Sequence, residues 1–337
     1  MSDTAMNTKG FGIAGGIRFF FKNFKWSEHS TGLAFIVVFV LAAIVGWPTF
    51  LKPGNLLTIF WQISYTGIIA LGMTLIIISG GIDLSVGSMM AIVGGISLFL
   101  LNWLTARISP TAAILICIVF CPLFGTVCGA FNGFLVTKCK IAPFIATLGT
   151  MSIFRSLIQQ FSQAANIVSA NTGYQNFGGS YQSAMIYAVG GFVLFALIFH
   201  LLLHNTRLGR YICAVGANEQ VARYSAINVT LIKFLPYVIT GFSVGICALL
   251  WSSRMNTIQP TSDGMNYELN VIAAVVIGGT SMSGGKGTII GTIMGAVILG
   301  MINSMLVLGG VSSFLQQAAR GLVIIVAVLL QYNNNNK

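Results

Sequence analysis

Few side chains in this sequence could do chemistry, and they lie far apart. The chain has 337 residues and only 6 acids against 17 Lys and Arg. Asp83 is a lone acid in GGIDLSVGS (Gly80 to Ser88), at a break between two apolar runs. An acid near hydrocarbon costs about 2.5–3.5 kcal/mol on insertion scales unless it is paired or wetted. Two roles are open. Asp83 or Ser85 could accept from free N–H groups where the next helix starts, or Asp83 could be a pathway residue balanced by Arg155 or Arg320. The bland capping role is the stronger on these residues alone.

His200 and His204 are four apart, the spacing of a metal pair, but no third ligand is near and no metal site is expected. The six cysteines form no CxxC pair and read as small apolar fillers. GGKGT (Gly284 to Thr288) invites comparison with a phosphate-binding loop. It fails the pattern, because the first glycine would fall on Thr280 and Gly287 follows the lysine where Ser or Thr belongs. HExxH and a second intramembrane aspartate are lacking too, and no catalytic residues are assigned.

The most polar interval between apolar runs is His204 to Lys233. It carries Arg207, Arg210, Arg223 and Lys233 against a single acid, Glu219. Glu219 near a helix start is favoured by the helix dipole, and Arg223 at i+4 can pair with it. The pattern suits a short helix offered to a soluble partner.

The elements that position these residues are membrane spans. The chain is 56% hydrophobic and 7% charged, against about 25% charged in a soluble protein. Its continuous apolar runs exclude a β-barrel and predict an all-α polytopic membrane protein with about ten spans. These are placed at about 31–47, 57–79, 84–104, 110–137, 143–162, 183–203, 234–251, 269–282, 289–308 and 314–330. Residues 1–30 read as a cytoplasmic or interfacial lead-in, 31–332 as the transmembrane domain containing the loop 204–233, and 333–337 as a disordered tail.

The charges orient the chain. With the N-terminus inside, cytoplasmic segments hold Lys9, Arg18, Lys22, Lys25, Lys138, Lys140, Arg207, Arg210, Arg223, Lys233, Lys286 and Lys337. The outer loops hold only Lys52, Arg107 and Arg254. By the positive-inside rule both termini are cytoplasmic. The same distribution, with no basic-aromatic cluster, argues against nucleic acid as a partner. Glycines four apart, at Gly125, Gly129 and Gly133, at Gly241 and Gly245, and at Gly291 and Gly295, predict close helix packing.

Four stretches, in order, then match a known pattern. GMTLIIISGGIDLSVGS (Gly72 to Ser88), PFIATLG (Pro143 to Gly149), RLGRYICAVGANEQVARYSAINV (Arg207 to Val229) and YELNVIAAVVIGGTSMSGGKGTIIGTIMGAVILG (Tyr267 to Gly300) resemble the permease subunits of bacterial ribose-type ABC importers. The resemblance covers roughly 56–330. It departs at Ala226, where the family commonly has glycine, and at Asn270, where it commonly has an acid.

The resemblance implies a multi-pass protein of the bacterial inner membrane that moves a monosaccharide by alternating access. The implied partners are a second permease chain, a homodimer being the simplest case, a cytoplasmic ABC ATPase, a periplasmic sugar-binding protein and membrane lipid. The chain itself would hold no cofactor, ATP and magnesium belonging to the ATPase. Arg207, Gly209, Arg210, Gly216, Asn218, Glu219, Ala222, Arg223 and Asn228 would form the coupling segment. Gly80, Gly81, Asp83, Ser85, Gly87 and Ser88 would form a helix break or part of the path. Sugar would arrive on outer loops that include Asp263 and Glu268. The alternative is an ion-coupled secondary transporter of a small polar solute, favoured by the broken helix and disfavoured by having only one intramembrane acid.

Overall fold

The computed structural model describes residues 26–178 and 181–312, together with 315–319, 321, 322 and 325. The lead-in before residue 26, the tail 333–337, Arg320 and most of the span expected at 314–330 lie outside the described residues.

The chain is a bundle of helices. In order they are α1 (Trp26–Val45), α2 (Pro53–Ile78), α3 (Val86–Thr105), α4 (Pro110–Thr137), α5 (Pro143–Ser162), α6 (Thr172–Gly178) and α7 (Tyr181–Asn205). Then follow α8 (Arg207–Ala217), α9 (Glu219–Tyr224), α10 (Val229–Met255), α11 (Tyr267–Ile277) and α12 (Ile289–Leu308). Local sequence sets several starts. Pro53, Pro110 and Pro143 each open a helix, where a missing N–H costs nothing. Ser109, Thr206, Asn218, Asn228 and Thr288 cap theirs by accepting a backbone N–H.

Among the described residues, six helices are long and apolar enough to cross a membrane: α2, α3, α4, the 185–205 part of α7, α10 and α12. They coincide with six of the ten expected spans. α2 is the innermost, and almost every residue from Ile63 to Ile78 is buried. The helix over 143–162 is present as α5 but is more polar than these six. The run expected to cross at 269–282 differs most. Its helix, α11, has 11 residues, about 16 Å at 1.5 Å per residue, and the hydrocarbon core is about 30 Å thick.

The reason lies in the segment before α11. After α10 the chain makes a two-residue strand, β2 (Thr257–Ile258), which pairs antiparallel with β1 (Ile167–Val168), Ile167 opposite Ile258. It then runs back along α3: Ile258 lies against Gly94 and Gly264 against Gly87, so the chain passes along α3 toward its first turn. The connector 256–266 and α11 therefore pack into the bundle as two separate pieces. Irregular backbone at membrane depth is tolerated only where protein covers it, and Gly264, Ile258 and Pro260 are buried.

Glycine contacts close the bundle. A Cβ added at Gly129 would collide with Tyr237 O on α10, and one at Gly241 with Gly125 O on α4. One at Gly295 would collide with Ala274 O, so α11 and α12 are equally close. Close packing is therefore what the four-residue glycine spacing does. Lipid supplies no hydrophobic drive for helix association, and backbone approach takes its place.

Candidate functional site

Two candidate elements meet at one end of the bundle. The first is the break between α2 and α3. Gly80 takes φ +81°, and its N–H and that of Gly81 close the end of α2 on Ile77 O and Ile76 O. The chain then crosses to Asp83, which is fully buried. Asp83 Oδ1 accepts from the Ser85 N–H at 2.8 Å and from Ser85 Oγ at 2.7 Å. Its Oδ2 accepts from Asn132 Nδ2 on α4 at 3.1 Å, and Asn132 also donates to Ser85 Oγ at 2.7 Å. Tyr237 Oη donates to Ile82 O at 3.3 Å.

Asp83 thus fixes the turn that starts α3 and ties it to α4. Among the described residues it has no ion-pair partner. Arg155 is engaged elsewhere, donating to Pro260 O at 2.7 Å and Asp263 O at 2.9 Å. The arrangement favours the structural role over the pathway role. Ser88 closes on Ser85 O within the same turn. Gly87 leaves room for Gly264.

The second element is the basic interval, which folds as α8 and α9. The sequence-predicted residues divide by direction. Arg207, Arg210 and Arg223 are exposed. Gly209, Gly216 and Ala222 face inward: Gly209 lies on Leu203 O, and a Cβ at Gly216 would collide with Ile78 O and approach Gly285 N to 2.7 Å. Asn218 Oδ1 accepts from Val221 N and Asn228 Oδ1 from Leu231 N, so both are caps. Glu219 pairs with Arg223 at 3.1 Å and also with Lys233 on α10. The Lys233 ammonium first, and Arg223 beside it, hold the Glu219 carboxyl below its ordinary value.

The segment therefore rests on backbone. Gly285 N–H donates to Ile78 O at 2.8 Å, so the end of α2, the turn 278–288 and α8 share one contact. GGKGT serves that contact. Gly284 and Gly285 take φ +84° and +78°, and a Cβ at Gly285 would meet Ala217 at 2.8–2.9 Å. Beside it, a cavity of about 430 Å³ opens between the break, the α4–α5 turn and α9, lined by Gly80, Thr137, Lys140, Glu219, Lys233 and Tyr237 among others.

Sequence reasoning missed three things. Lys233 is fourteen residues from Glu219, beyond any helical spacing rule. Val221 and Tyr224 are exposed apolar side chains on α9, Tyr224 at 89%; their sequence signal was two apolar residues on a polar helix. Asp263 and Glu268, expected on outer loops, are half-buried in or beside the connector. Gly264 O and the Glu268 carboxylate both lie against Gly87, which draws that segment into the bundle. His204 Nδ1 meets His200 O at 3.1 Å, and the two rings stack at 4.4 Å.

A helical bundle with broken passages and a short amphipathic segment seated across its basic end defines a polytopic transport subunit. Residues 55–328 match the family described as the permease component of branched-chain amino acid transport systems. The chain is 42% identical over 300 residues to the ribose import permease protein RbsC of Bacillus subtilis, covering 88% of this chain and 91% of that one. It is 38% identical to the Escherichia coli protein of the same name, covering 94% and 96%. To the galactose/methyl galactoside import permease protein MglC of Escherichia coli it is 33% identical, covering 89% and 93%. No solved structure matches. The chain belongs to this family, the ribose-type permeases of ABC importers; it is a multi-pass inner-membrane transport subunit and not an enzyme.

Proposed function

We propose that this chain carries a ribose-like monosaccharide through the inner membrane, as one of two permease chains driven by a cytoplasmic ABC ATPase and fed by a periplasmic sugar-binding protein. Its relatives are named as importers of ribose and galactose, and the sugar class follows from them. On this reading about ten spans place both termini in the cytoplasm. The charge distribution supports that orientation. Lys138, Lys140, Arg207, Arg210, Arg223, Lys233 and Lys286 follow or precede helix ends at the α8–α9 end of the bundle, whereas Lys52, Arg107 and Arg254 lie at the opposite helix ends. Nucleotide and magnesium belong to the ATPase.

One observation carries the mechanism: α8 sits directly on the end of α2 and on the 278–288 turn through glycine backbone contacts. Backbone contacts have no rotamer slack. A push on the outer face of α8–α9, delivered as the ATPases close, moves α2 and α12 rather than bending side chains. Arg207, Arg210, Arg223, Val221 and Tyr224 form the face offered to the ATPase. A neutral sugar needs hydrogen-bonding groups rather than charge along its path.

The test is purification of the assembled importer in gentle detergent, with co-purifying proteins identified by mass spectrometry. A stoichiometric ATPase with Walker motifs is expected, and it is lost on Tyr224→Asp while the permease stays in the membrane. A permease that arrives alone would overturn this reading and favour ion-coupled transport.

A further inference from the structure

We infer that the cavity between the α2–α3 break, the α4–α5 turn and α9 is a binding site for a phosphate monoester. The inference goes beyond transport and holds whichever sugar the chain carries.

The cavity gathers charge that topology does not require. Lys140, Arg223 and Lys233 line it, with Glu219 as the one acid on its wall, so positive charge is in excess by two. The positive-inside rule asks only that basic residues lie at this end of the bundle. Lys138, Arg207 and Arg210 answer it without lining the cavity. Lys140 follows α4 at φ +57°, a left-handed conformation that glycine or asparagine adopts at less cost. Among the described residues its ammonium has no ion-pair partner.

Donors are to spare. Glu219 accepts one bond from Arg223 and one from Lys233, whereas a guanidinium carries five N–H groups and an ammonium three. The Thr230 hydroxyl is on the same wall and makes no hydrogen bond among the described residues. Two long helices also start here. Ala142 and Pro143 open α5 without a side-chain cap, and Val229 and Thr230 open α10. Helix starts carry partial positive charge and favour anions.

Size and charge select the ligand. A volume of about 430 Å³ lies within the roughly 300–1,000 Å³ of small-molecule pockets, and it exceeds what a bare phosphate needs. A phosphate monoester carries about −1.5 to −2 charges at neutral pH, which matches the excess; a diester falls short of it. A neutral sugar has no use for such a site. A soluble sugar phosphate and the head of phosphatidic acid present the same group, and both qualify. Glu219 and Arg223 belong to α9 and Lys233 to α10, so occupancy is felt on the segment proposed to meet the ATPase.

The test uses the full-length chain in nanodiscs of phosphatidylcholine, titrated with ribose 5-phosphate by calorimetry. Binding is expected, and Lys140→Ala and Lys233→Gln should each weaken it by about tenfold or more, a charge-assisted hydrogen bond having been removed. Glu219→Gln should tighten it, because a like charge leaves the wall. Damage to the fold would weaken all three variants alike, so opposite signs mark the site. A second set of nanodiscs contains phosphatidic acid. Sugar phosphate binding that persists there assigns the site to a soluble monoester. Binding that disappears there, and is kept when phosphatidylglycerol replaces phosphatidic acid, assigns it to the lipid head. Two results would overturn the inference: three variants that weaken binding alike, or no ribose 5-phosphate binding together with phosphatidic acid that co-purifies equally with the parental chain and Lys140→Ala.

Discussion

The chain breaks its helices twice at the same end, and the two breaks begin alike. Ser79, Gly80 and Gly81 donate to Leu75, Ile77 and Ile76 carbonyls; Gly278, Gly279 and Thr280 donate to those of Ala274, Val276 and Val275. Gly80 and Gly279 take φ +81° and +87°. After that they diverge. The first break is fastened by side chains, with Asp83, Ser85 and Asn132 forming a buried network that reaches α4. The second is fastened by fit, with Gly284, Gly285 and Gly287 letting the turn lie on Ile78, Ala217 and Thr280. One break resists movement because its polar groups have nowhere else to go. The other is a contact surface, shared with α8.

The largest effect should come from the contact surface. Gly216→Val places side-chain carbons where Ile78 O stands. Uptake should be lost while the protein remains in the membrane, as read by sugar transport beside immunoblotting of membranes. Uptake near the parental rate would separate α8 from α2 and dissolve the comparison.

Next comes the polar fastening. Asp83→Leu leaves the Ser85 N–H and hydroxyl buried without their acceptor, each worth about 1–3 kcal/mol, and should lower the thermal midpoint of the purified protein sharply. Asp83→Asn keeps an oxygen for Ser85 and should cost less. Equal losses in the two variants would show that charge, and not the turn, is what Asp83 supplies.

Smaller still is the effect at a strained residue in the loop after α9. Ala226 has φ +58°, a left-handed conformation that costs a residue with a Cβ about 1–2 kcal/mol. Ala226→Gly should raise the thermal midpoint, the gain being reduced by glycine's freedom in the unfolded chain.

The smallest effect belongs to the Glu219 pairs. Both partners are partly exposed, and such pairs contribute about 0–1 kcal/mol. Because the folded-state carboxyl is held below its ordinary value, the contribution is fully present above the ordinary carboxylate range and is lost only as pH falls through the folded value. Stability of α8–α9, followed by hydrogen exchange, should therefore be flat through neutral pH and fall in acid, and Lys233→Met should weaken the fall more than Arg223→Met.

Much of this was legible in the sequence. The six long spans are continuous apolar runs, and such runs have one reading. The α8–α9 segment was visible as basic charge against a single acid, and the close glycine contacts as four-residue spacing. What was hidden depended on contacts distant in sequence. The run 269–282 reads as a span because Gly278 and Gly279 look like more apolar helix, yet a positive φ at Gly279 ends it. The connector 256–266 reads as a loop because it is polar, yet Arg155 and Gly87, more than a hundred residues earlier, bring it inside. The inward role of Gly216 shows only when Ile78 is placed beside it.

ATP-driven import by this chain can be measured directly. The purified permease, assembled with its ATPase in proteoliposomes, is given binding protein and radiolabelled ribose outside and ATP within. Uptake that requires ATP and survives ionophores is the result expected. Uptake that proceeds without ATP and stops when ion gradients collapse would contradict it.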